Sequence, residues 1–250
     1  MTRKTIFRNG LRLITVHAPS SLAATVLILV EAGSEYETKK VNGLSHFLEH
    51  MTFKGTTNRP KPGTIARELD GLGAQSNAFT SQEYTGYWAK VRSEKASKIL
   101  EIVSDLYLNP VFNSQEIDKE RGVVIEEINM YEDTPMRRVQ ELFTSLLYGD
   151  QPAGWDIAGR KEVIRSLTRE DFMKYRSLHY VAPKTVVVIA GNFDKTKMLT
   201  QVKKFFGDLP RAKKIGKVKT KTLEQNKPRV LLKHKESNQS HLVIGVRAFD

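Results

Sequence analysis

The chain of 250 residues carries a formal net charge of +12, with 40% hydrophobic and 27% charged residues. This composition is typical of a globular protein and leaves room for one large domain or two small ones. The absence of cysteine excludes disulfides and thiolate metal sites, so a transition metal would need histidine and carboxylate ligands.

The N-terminal residues MTRKTIFRNGLRLITVHAP include basic side chains but lack the apolar core of a signal peptide. The longest apolar runs, TVLILV and TVVVIAG, are too short to span a bilayer. We therefore expect no membrane segment and a cytoplasmic location.

Strand and helix patterns are interspersed along the chain. Residues 4–17 predict two strands joined by a type I′ turn at Asn9-Gly10. Further β segments are predicted at 24–34, within 74–91 and at 185–191. Apolar spacing and end signals predict helices at 43–52, 62–72, 93–108, 114–135, 136–147, 168–178 and 194–206. This order favours an α+β fold, a largely antiparallel sheet with helices packed on it, over a doubly wound parallel sheet.

The excess of positive charge is concentrated near the C-terminal end. Residues 211–230 carry eight Lys and Arg residues against one Glu, and no aromatic side chain is interleaved to stack on bases. We interpret this stretch as a solvated linker and do not expect a nucleic-acid partner. A basic nucleic-acid-binding module stays open as an alternative that rests on net charge alone.

The segment GLSHFLEHMTFKGT carries two histidines four positions apart. On a helix, His46 and His50 lie about 40° apart around the axis and can point at one ion. Glu49 falls on the same side, where it can take a proton from a water that a metal activates. Two histidines leave a catalytic zinc site one protein ligand short, so another element must supply a carboxylate. The alternative is a packed helix with hydrogen-bonded histidines, since short motifs recur by chance.

Candidate carboxylates lie in the predicted helix EIDKERGVVIEEINMYED. Glu120 and Glu127 are seven positions, about two helical turns, apart. Val124 and Ile128 mark the buried face, and a carboxylate turned towards the interior needs a counter-charge or a metal. Glu126 is expected in solvent.

His-x-x-Glu-His is the inverted form of the common zinc-protease motif, the inverzincin pattern. With it, the chain resembles the pitrilysin/insulinase family of zinc peptidases, which includes the mitochondrial processing peptidases. GLSHFLEHMTFKGT resembles the metal helix of that family, and ERGVVIEEINMYEDTP resembles its glutamate helix, with Glu127 following His50 by 77 positions. GAQSNAFTSQEYTGYWAKV, GWDIAGRKEVI and SLHYVAPKTVVVIAGNFD are similar to further segments of the family.

The resemblance implies a metallohydrolase domain like those of mitochondrial processing peptidase and insulysin. It implies one Zn²⁺ per chain, held by His46, His50 and Glu127, and a zinc metalloendopeptidase activity towards extended peptides. Glu49 matches the general base of the family. Glu120 matches the glutamate that orients a ligand histidine, and we count it with the catalytic residues.

The resemblance also implies where a peptide substrate binds. In the family, the strand around SNAFTS lines the cleft and pairs with extended substrate, which assigns backbone binding to Asn77, Ala78, Phe79 and Thr80. The four residues by themselves are equally consistent with a plain edge strand.

Family members are usually two similar domains joined by a linker. The resemblance therefore predicts a zinc peptidase domain at 1–210, a basic linker at 211–227, and the truncated beginning of a second homologous domain at 228–250. The expected partner is a second homologous domain or subunit, and a homodimer is a further expectation. The alternative function is a non-catalytic or partner-dependent half that acts as a scaffold.

Overall fold

A six-stranded sheet organises the part of the chain that the structure describes. The computed structural model describes residues 2–222, 224–236 and 238–246. Its strands are β1 (Thr2–Ile6), β2 (Arg12–His17), β3 (Ala23–Val30), β4 (Gln75–Thr80), β5 (Thr85–Arg92) and β6 (Thr185–Gly191). Its α-helices are α1 (Leu44–Thr52), α2 (Thr64–Gly71), α3 (Ala96–Leu108), α4 (Ser114–Glu132), α5 (Pro135–Tyr148), α6 (Lys161–Ser166), α7 (Arg169–His179) and α8 (Lys195–Phe206).

The sheet has the strand order β1-β2-β6-β3-β5-β4, and every neighbouring pair is antiparallel except β2 with β6. Along β3 the side chains alternate between buried and half-buried, as expected when one face meets a core. α3 packs across β3 and β5 on that buried face. The predicted α+β fold with a largely antiparallel sheet is therefore confirmed, and β4 forms one edge of the sheet.

Each predicted helix has a counterpart, with ends that differ by a few residues. α6 has no predicted counterpart, because its six residues are too few for apolar periodicity to appear. Among the described residues, no helix combines the length and the apolar character that crossing a bilayer requires.

The turn between β1 and β2 differs from the prediction. The N–H of Phe7 donates to Leu11 O and the N–H of Gly10 donates to Phe7 O, both at 2.9 Å. Gly10 has a φ of 93°. Phe112 is the one non-glycine residue with a positive φ in the described chain, so Asn9 lacks the positive φ that a type I′ turn requires. The loop is therefore longer than a two-residue turn and has a glycine in the left-handed conformation, so the prediction of a type I′ turn was wrong. Asn9 Nδ2 instead donates to Phe206 O at 2.8 Å, at the end of α8.

The basic C-terminal stretch has neither helix nor strand among its described residues. Lys214 pairs with Glu31 at 2.8 Å and Lys217 pairs with Glu35 at 2.5 Å, so lysines of this stretch contact the body of the protein. The side chains of Lys214 and Glu31 are 45% and 36% exposed, and ion pairs between side chains as exposed as these contribute little stability. These ion pairs are therefore no evidence that the basic C-terminal stretch packs tightly against the rest of the protein.

The domain boundaries stay predictions. The described residues of 211–227 have no helix or strand and are almost all exposed, and the described part of 228–250 contains no strand. Parts of the three predicted ranges lie outside the described residues, namely 1, 223, 237 and 247–250.

A buried arginine fixes the loop that follows α1. Arg59 is 7% exposed and its guanidinium contacts Glu68 on α2 at 2.9 Å, Glu101 on α3 at 2.6 Å and Asp105 on α3 at 2.7 Å. Thr56 Oγ1 also donates to Asp105 at 2.6 Å. One cation thus joins the C-terminal side of α1 to two neighbouring helices.

We predict that Arg59→Ala lowers the free energy of unfolding by about 3 kcal/mol or more, because it leaves the buried carboxylate of Asp105 without its cation. Urea unfolding followed by circular dichroism measures this. Arg92→Ala is the matched control, since Arg92 pairs with Glu94 at 3.4 Å on the surface, and we expect a change within about 0.5 kcal/mol.

The pH dependence gives an independent check. Burial acts to raise the pKa of Asp105, but hydrogen bonds from Thr56, Asn109 and Arg59 outweigh it and lower the pKa. The stabilisation is therefore present above the unfolded-state pKa of about 3.9 and is lost as the pH falls through the lower folded-state pKa. Equal loss of stability in Arg59→Ala and Arg92→Ala would contradict the stabilising role assigned to Arg59.

Candidate metal centre

α1 places the histidine motif against α4. The helix begins after Gly43, which has a φ of 95°, and buries Phe47 and Met51 in the core. It packs against α4 and against β4. The packing directs His46 and His50 towards α4, on the same side of the helix, as their spacing predicts.

The three predicted ligands meet at one point between these helices. His46 Nε2 and His50 Nε2 are 3.2 Å apart, and Glu127 Oε2 lies 3.6 Å from the first and 3.3 Å from the second. One ligand atom from each residue lies within 4.8 Å of the other two. Two imidazoles and one carboxylate are the protein donors of a common type of catalytic zinc site, so the donor set fits Zn²⁺.

His50 is oriented by a carboxylate from α4. Its Nδ1 lies 3.0 Å from Glu120 Oε1, and Lys54 Nζ lies 2.5 Å from Glu120 Oε2. Glu120 is 6% exposed, so its charge is balanced by the lysine and the imidazole rather than by water. With Nδ1 engaged, Nε2 of His50 is the nitrogen that can face an ion.

Glu49 stands on the β4 side of α1. The hydroxyl of Thr80, the last residue of β4, donates to Glu49 Oε2 at 2.5 Å. Burial raises the pKa of the Glu49 carboxyl, and the hydrogen bond from Thr80 opposes part of that rise. The side chain is thus held next to the histidine pair without being one of the three converging donors.

The charges at the cluster are strongly coupled. Burial and the neighbouring His50 lower the pKa of His46 to about 4. Burial acts to lower the pKa of His50 as well, but the hydrogen bonds to Glu120 and Glu127 outweigh it and raise that pKa to about 9. The hydrogen bond from His50, with a further one from Tyr131, lowers the pKa of Glu127 to about 2. The carboxylates of α4 thus favour the charged form of His50, whereas burial favours the neutral form of His46.

The four residues predicted to bind substrate do not all face the cluster. Thr80 contacts Glu49, and Ala78 packs against the core on the same face of β4. Asn77 and Phe79 are exposed, and the Phe79 ring covers Gly86 on β5, where an added Cβ would come within 2.4 Å of the ring. The structure thus brings one of the four to the cluster and leaves the others along the sheet edge.

A cavity of about 690 Å³ lies on the α5 side of α4. Tyr131 lines it, and the Tyr131 hydroxyl donates to Glu127 Oε1. The guanidinium of Arg137 lies over the Tyr131 ring, 3.1 Å from its centroid. The cavity therefore adjoins the cluster through Tyr131, although none of the three converging side chains lines it.

Comparison with protein families tests the predicted family. Residues 12–161, more than half of the chain, match the family model described as Insulinase (Peptidase family M16). The chain belongs to the insulinase family. Residues 166–250 match a second model of this family, described as Peptidase M16 inactive domain. The family predicted from the histidine and glutamate motifs is thus confirmed.

Individual insulinase-family relatives are longer than this chain. It is 34% identical over 250 residues to an uncharacterized zinc protease of Bacillus subtilis (strain 168), covering 100% of this chain and 60% of the relative. It is 38% identical over 215 residues to mitochondrial-processing peptidase subunit beta of Saccharomyces cerevisiae, covering 84% of this chain and 46% of that subunit. A protease from Helicobacter pylori has a similar structure, with a TM-score of 0.81 and 26% identity over 89% of this chain and 54% of that one. This chain spans about half the length of these relatives.

Three residues that support this insulinase-family site were not predicted from the sequence. Lys54 and Tyr131 each lie four positions after a predicted ligand, His50 and Glu127 respectively, so helical spacing could have identified them. Glu37 accepts hydrogen bonds at the start of α1, and no periodic signal connects it to that helix. Burial raises the pKa of Glu37 to about 7, although the hydrogen bonds from Ser45 and Gly43 act to lower it.

We predict that the chain binds one Zn²⁺ and that His50→Ala and Glu127→Gln abolish stoichiometric binding, because each removes one of three protein ligands. Metal analysis after zinc loading and dialysis measures the stoichiometry. Zinc at about 100 times its Kd should also stabilise the wild type by about 2.7 kcal/mol, detected as a higher Tm.

Glu126→Gln is the matched control for that experiment. Glu126 neighbours Glu127 on α4 but is exposed, so its variant should retain zinc and the zinc-dependent rise in Tm. Equal zinc retention by the Glu126 and Glu127 variants would show that the carboxylate ligand is misassigned.

Proposed function

We propose that this chain is the zinc-bearing, catalytic part of a zinc metalloendopeptidase that hydrolyses peptide bonds in extended peptides. The observation that carries the proposal is the convergence of His46, His50 and Glu127, with ligand atoms within 4.8 Å of one another. Membership of the insulinase family and the zinc protease names of its relatives support it. A cytoplasmic location remains a prediction.

The mechanism assigns the proton transfers to Glu49. Zn²⁺ bound by His46, His50 and Glu127 would supply Lewis acidity that polarises the scissile carbonyl and acidifies the attacking water. Glu49 takes the proton from that water and later gives it to the leaving amine. Thr80 holds Glu49 Oε2, which leaves Oε1 to exchange the proton. Glu120 keeps His50 in the tautomer that presents Nε2 to the ion.

The edge strand β4 is the proposed binding site for the peptide backbone. β4 ends the sheet. The N–H of Ala78 donates to the side-chain oxygen of Asn77, with 2.9 Å between Ala78 N and Asn77 Oδ1. An outward-facing N–H of this kind can pair with an extended peptide added as a further strand. Asn77, Ala78, Phe79 and Thr80 would form this edge, and Thr80 would bring its end next to Glu49. The cavity beside Tyr131 offers space for a substrate side chain.

A partner-dependent or non-catalytic half that acts as a scaffold is the second candidate function. It is favoured by the match of residues 166–250 to a model described as an inactive domain. The partner would be a second homologous domain or subunit, or a second copy of this chain. Peptide cleavage that appears only after a longer relative's C-terminal half is added would favour this candidate.

We predict that Glu49→Gln keeps zinc but reduces kcat by about 10²-fold or more, because the amide cannot accept the proton from water. Metal analysis and cleavage of a fluorogenic peptide measure the two properties on the same preparation. Glu126→Gln serves again as the control and should keep both. Full turnover by zinc-loaded Glu49→Gln would exclude Glu49 as the base.

We predict that Ala78→Pro raises KM for peptides about tenfold with little change in kcat, because proline removes one N–H donor at the strand edge. Proline is tolerated on an edge strand where the lost N–H faces away from the sheet. Steady-state kinetics with a peptide of eight or more residues measures the effect, and Tm verifies folding. Asn77→Ala is the control, because it exposes the Ala78 N–H and should not raise KM. An unchanged KM in folded Ala78→Pro would contradict strand addition at this site.

A further inference from the structure

A buried carboxylate occupies the N-terminal end of α1. Glu37 is 2% exposed and uses both of its oxygens. Oε2 accepts from the N–H of Gly43 at 2.8 Å and from Asn42 Nδ2 at 3.1 Å, and Oε1 accepts from the N–H of Ser45 at 2.7 Å. A side chain outside the helix thus binds the first backbone donors of α1.

This contact replaces an ordinary helix cap. The first N–H groups of a helix have no partner within the helix, and a side chain at the N-cap position commonly accepts from them. The N-cap residue of α1 is Gly43, which has no side chain to do so. Glu37 accepts these bonds from six positions earlier in the chain and adds a negative charge where the helix dipole favours it.

The end of α1 that Glu37 holds is the end that carries His46. Ser45, one of the two residues whose N–H it binds, directly precedes His46. The hydroxyl of Tyr175, on α7, lies 3.2 Å from Gly33 O and 2.7 Å from Ser45 Oγ, so it forms a hydrogen bond with the Ser45 side chain. Backbone and side chain of Ser45 are therefore both fixed from outside the helix.

The two histidines of the cluster are held by different means. His50 Nδ1 has Glu120 as its partner, whereas the buried Nδ1 of His46 has no hydrogen-bond partner in the part of the chain that the structure describes. His46 also sits in the first turn of α1, where a helix frays most easily. The direction of its ring therefore depends on the position of its backbone.

We propose that Glu37 is a positioning residue that sets the direction of His46 by fixing the first turn of α1. The inference rests on the proposed function and extends it. Glu37 does for His46, through the backbone, what Glu120 does for His50 through its ring. No contact between Glu37 and an ion or a substrate is involved.

The test is Glu37→Gln, an isosteric change with one acceptor oxygen where glutamate has two. One end of the amide must then place its NH₂ against a backbone N–H, so the first turn shifts. We expect zinc affinity to fall about tenfold or more and kcat to fall with little change in KM. The visible absorption bands of the Co²⁺-substituted protein should shift, because they report ligand geometry. Measurements at pH 8 keep the wild-type carboxyl, with a pKa of about 7, mostly ionised.

Asp105→Asn is the matched control, because Asp105 is a carboxylate of similar burial, 5% exposed, in the Arg59 network. It should lower Tm while leaving the Co²⁺ spectrum and zinc affinity unchanged, as a purely structural role predicts. Tyr175→Phe keeps Glu37 but removes the hydroxyl that forms a hydrogen bond with the Ser45 side chain. It should shift the spectrum in the same direction by a smaller amount, which keeps the test decisive if Glu37→Gln does not fold.

The outcomes separate the two proposals. If the wild type binds zinc and cleaves peptide while Glu37→Gln and Tyr175→Phe match it in zinc affinity and spectrum, the positioning role is refuted and the proposed function stands. If the spectrum of Asp105→Asn shifts as much as that of Glu37→Gln, the effect is general destabilisation and the inference fails. If the wild type binds no zinc, the proposed function fails and the inference fails with it.

Discussion

The contact between α1 and α4 is the constraint on which the site depends. Glu127 follows His50 by 77 positions, so their side chains meet only while the two helices keep their packing. Phe47 on α1 and Val124 on α4 are both buried in the hydrophobic core. Charged groups inside such a contact must be paired, because an unpaired buried charge is costly. Glu120, between His50 and Lys54, satisfies that requirement and orients the His50 ring at the same time.

Features that depend on local periodicity could be predicted from the sequence. Helical spacing converts sequence distance into direction, so the pairing of His46 with His50 and the outward position of Glu126 followed from the pattern. The same holds for the buried strand β3, whose apolar run is bounded by turn residues. The convergence with Glu127 needed more than periodicity, because only the family resemblance indicated which carboxylate faces α1.

Features that depend on a distant partner could not be predicted in this way. Asn9-Gly10 matches a type I′ turn, yet Asn9 binds carbonyls at the end of α8, and that contact accompanies a longer loop. Arg59 would be expected in solvent by composition, but three carboxylates from two helices surround it. Glu37 lies in a stretch without regular spacing, and its role as a cap depends on a chain reversal before Gly43. In each case a tertiary contact overrides the local preference.

The position of Glu49 connects the cluster to the edge of the sheet. Thr80 is the last residue of β4 and also the hydrogen-bond donor to Glu49, so the end of the edge strand and the proposed base are fixed relative to each other. A peptide added to β4 takes its register from the backbone of that strand, since pairing advances in steps of two residues. The position of its scissile bond relative to Glu49 would then depend on one side-chain contact, the hydrogen bond from Thr80 to Glu49. Under this arrangement, the choice of the bond to be cleaved depends on strand register as much as on the side chains of the peptide.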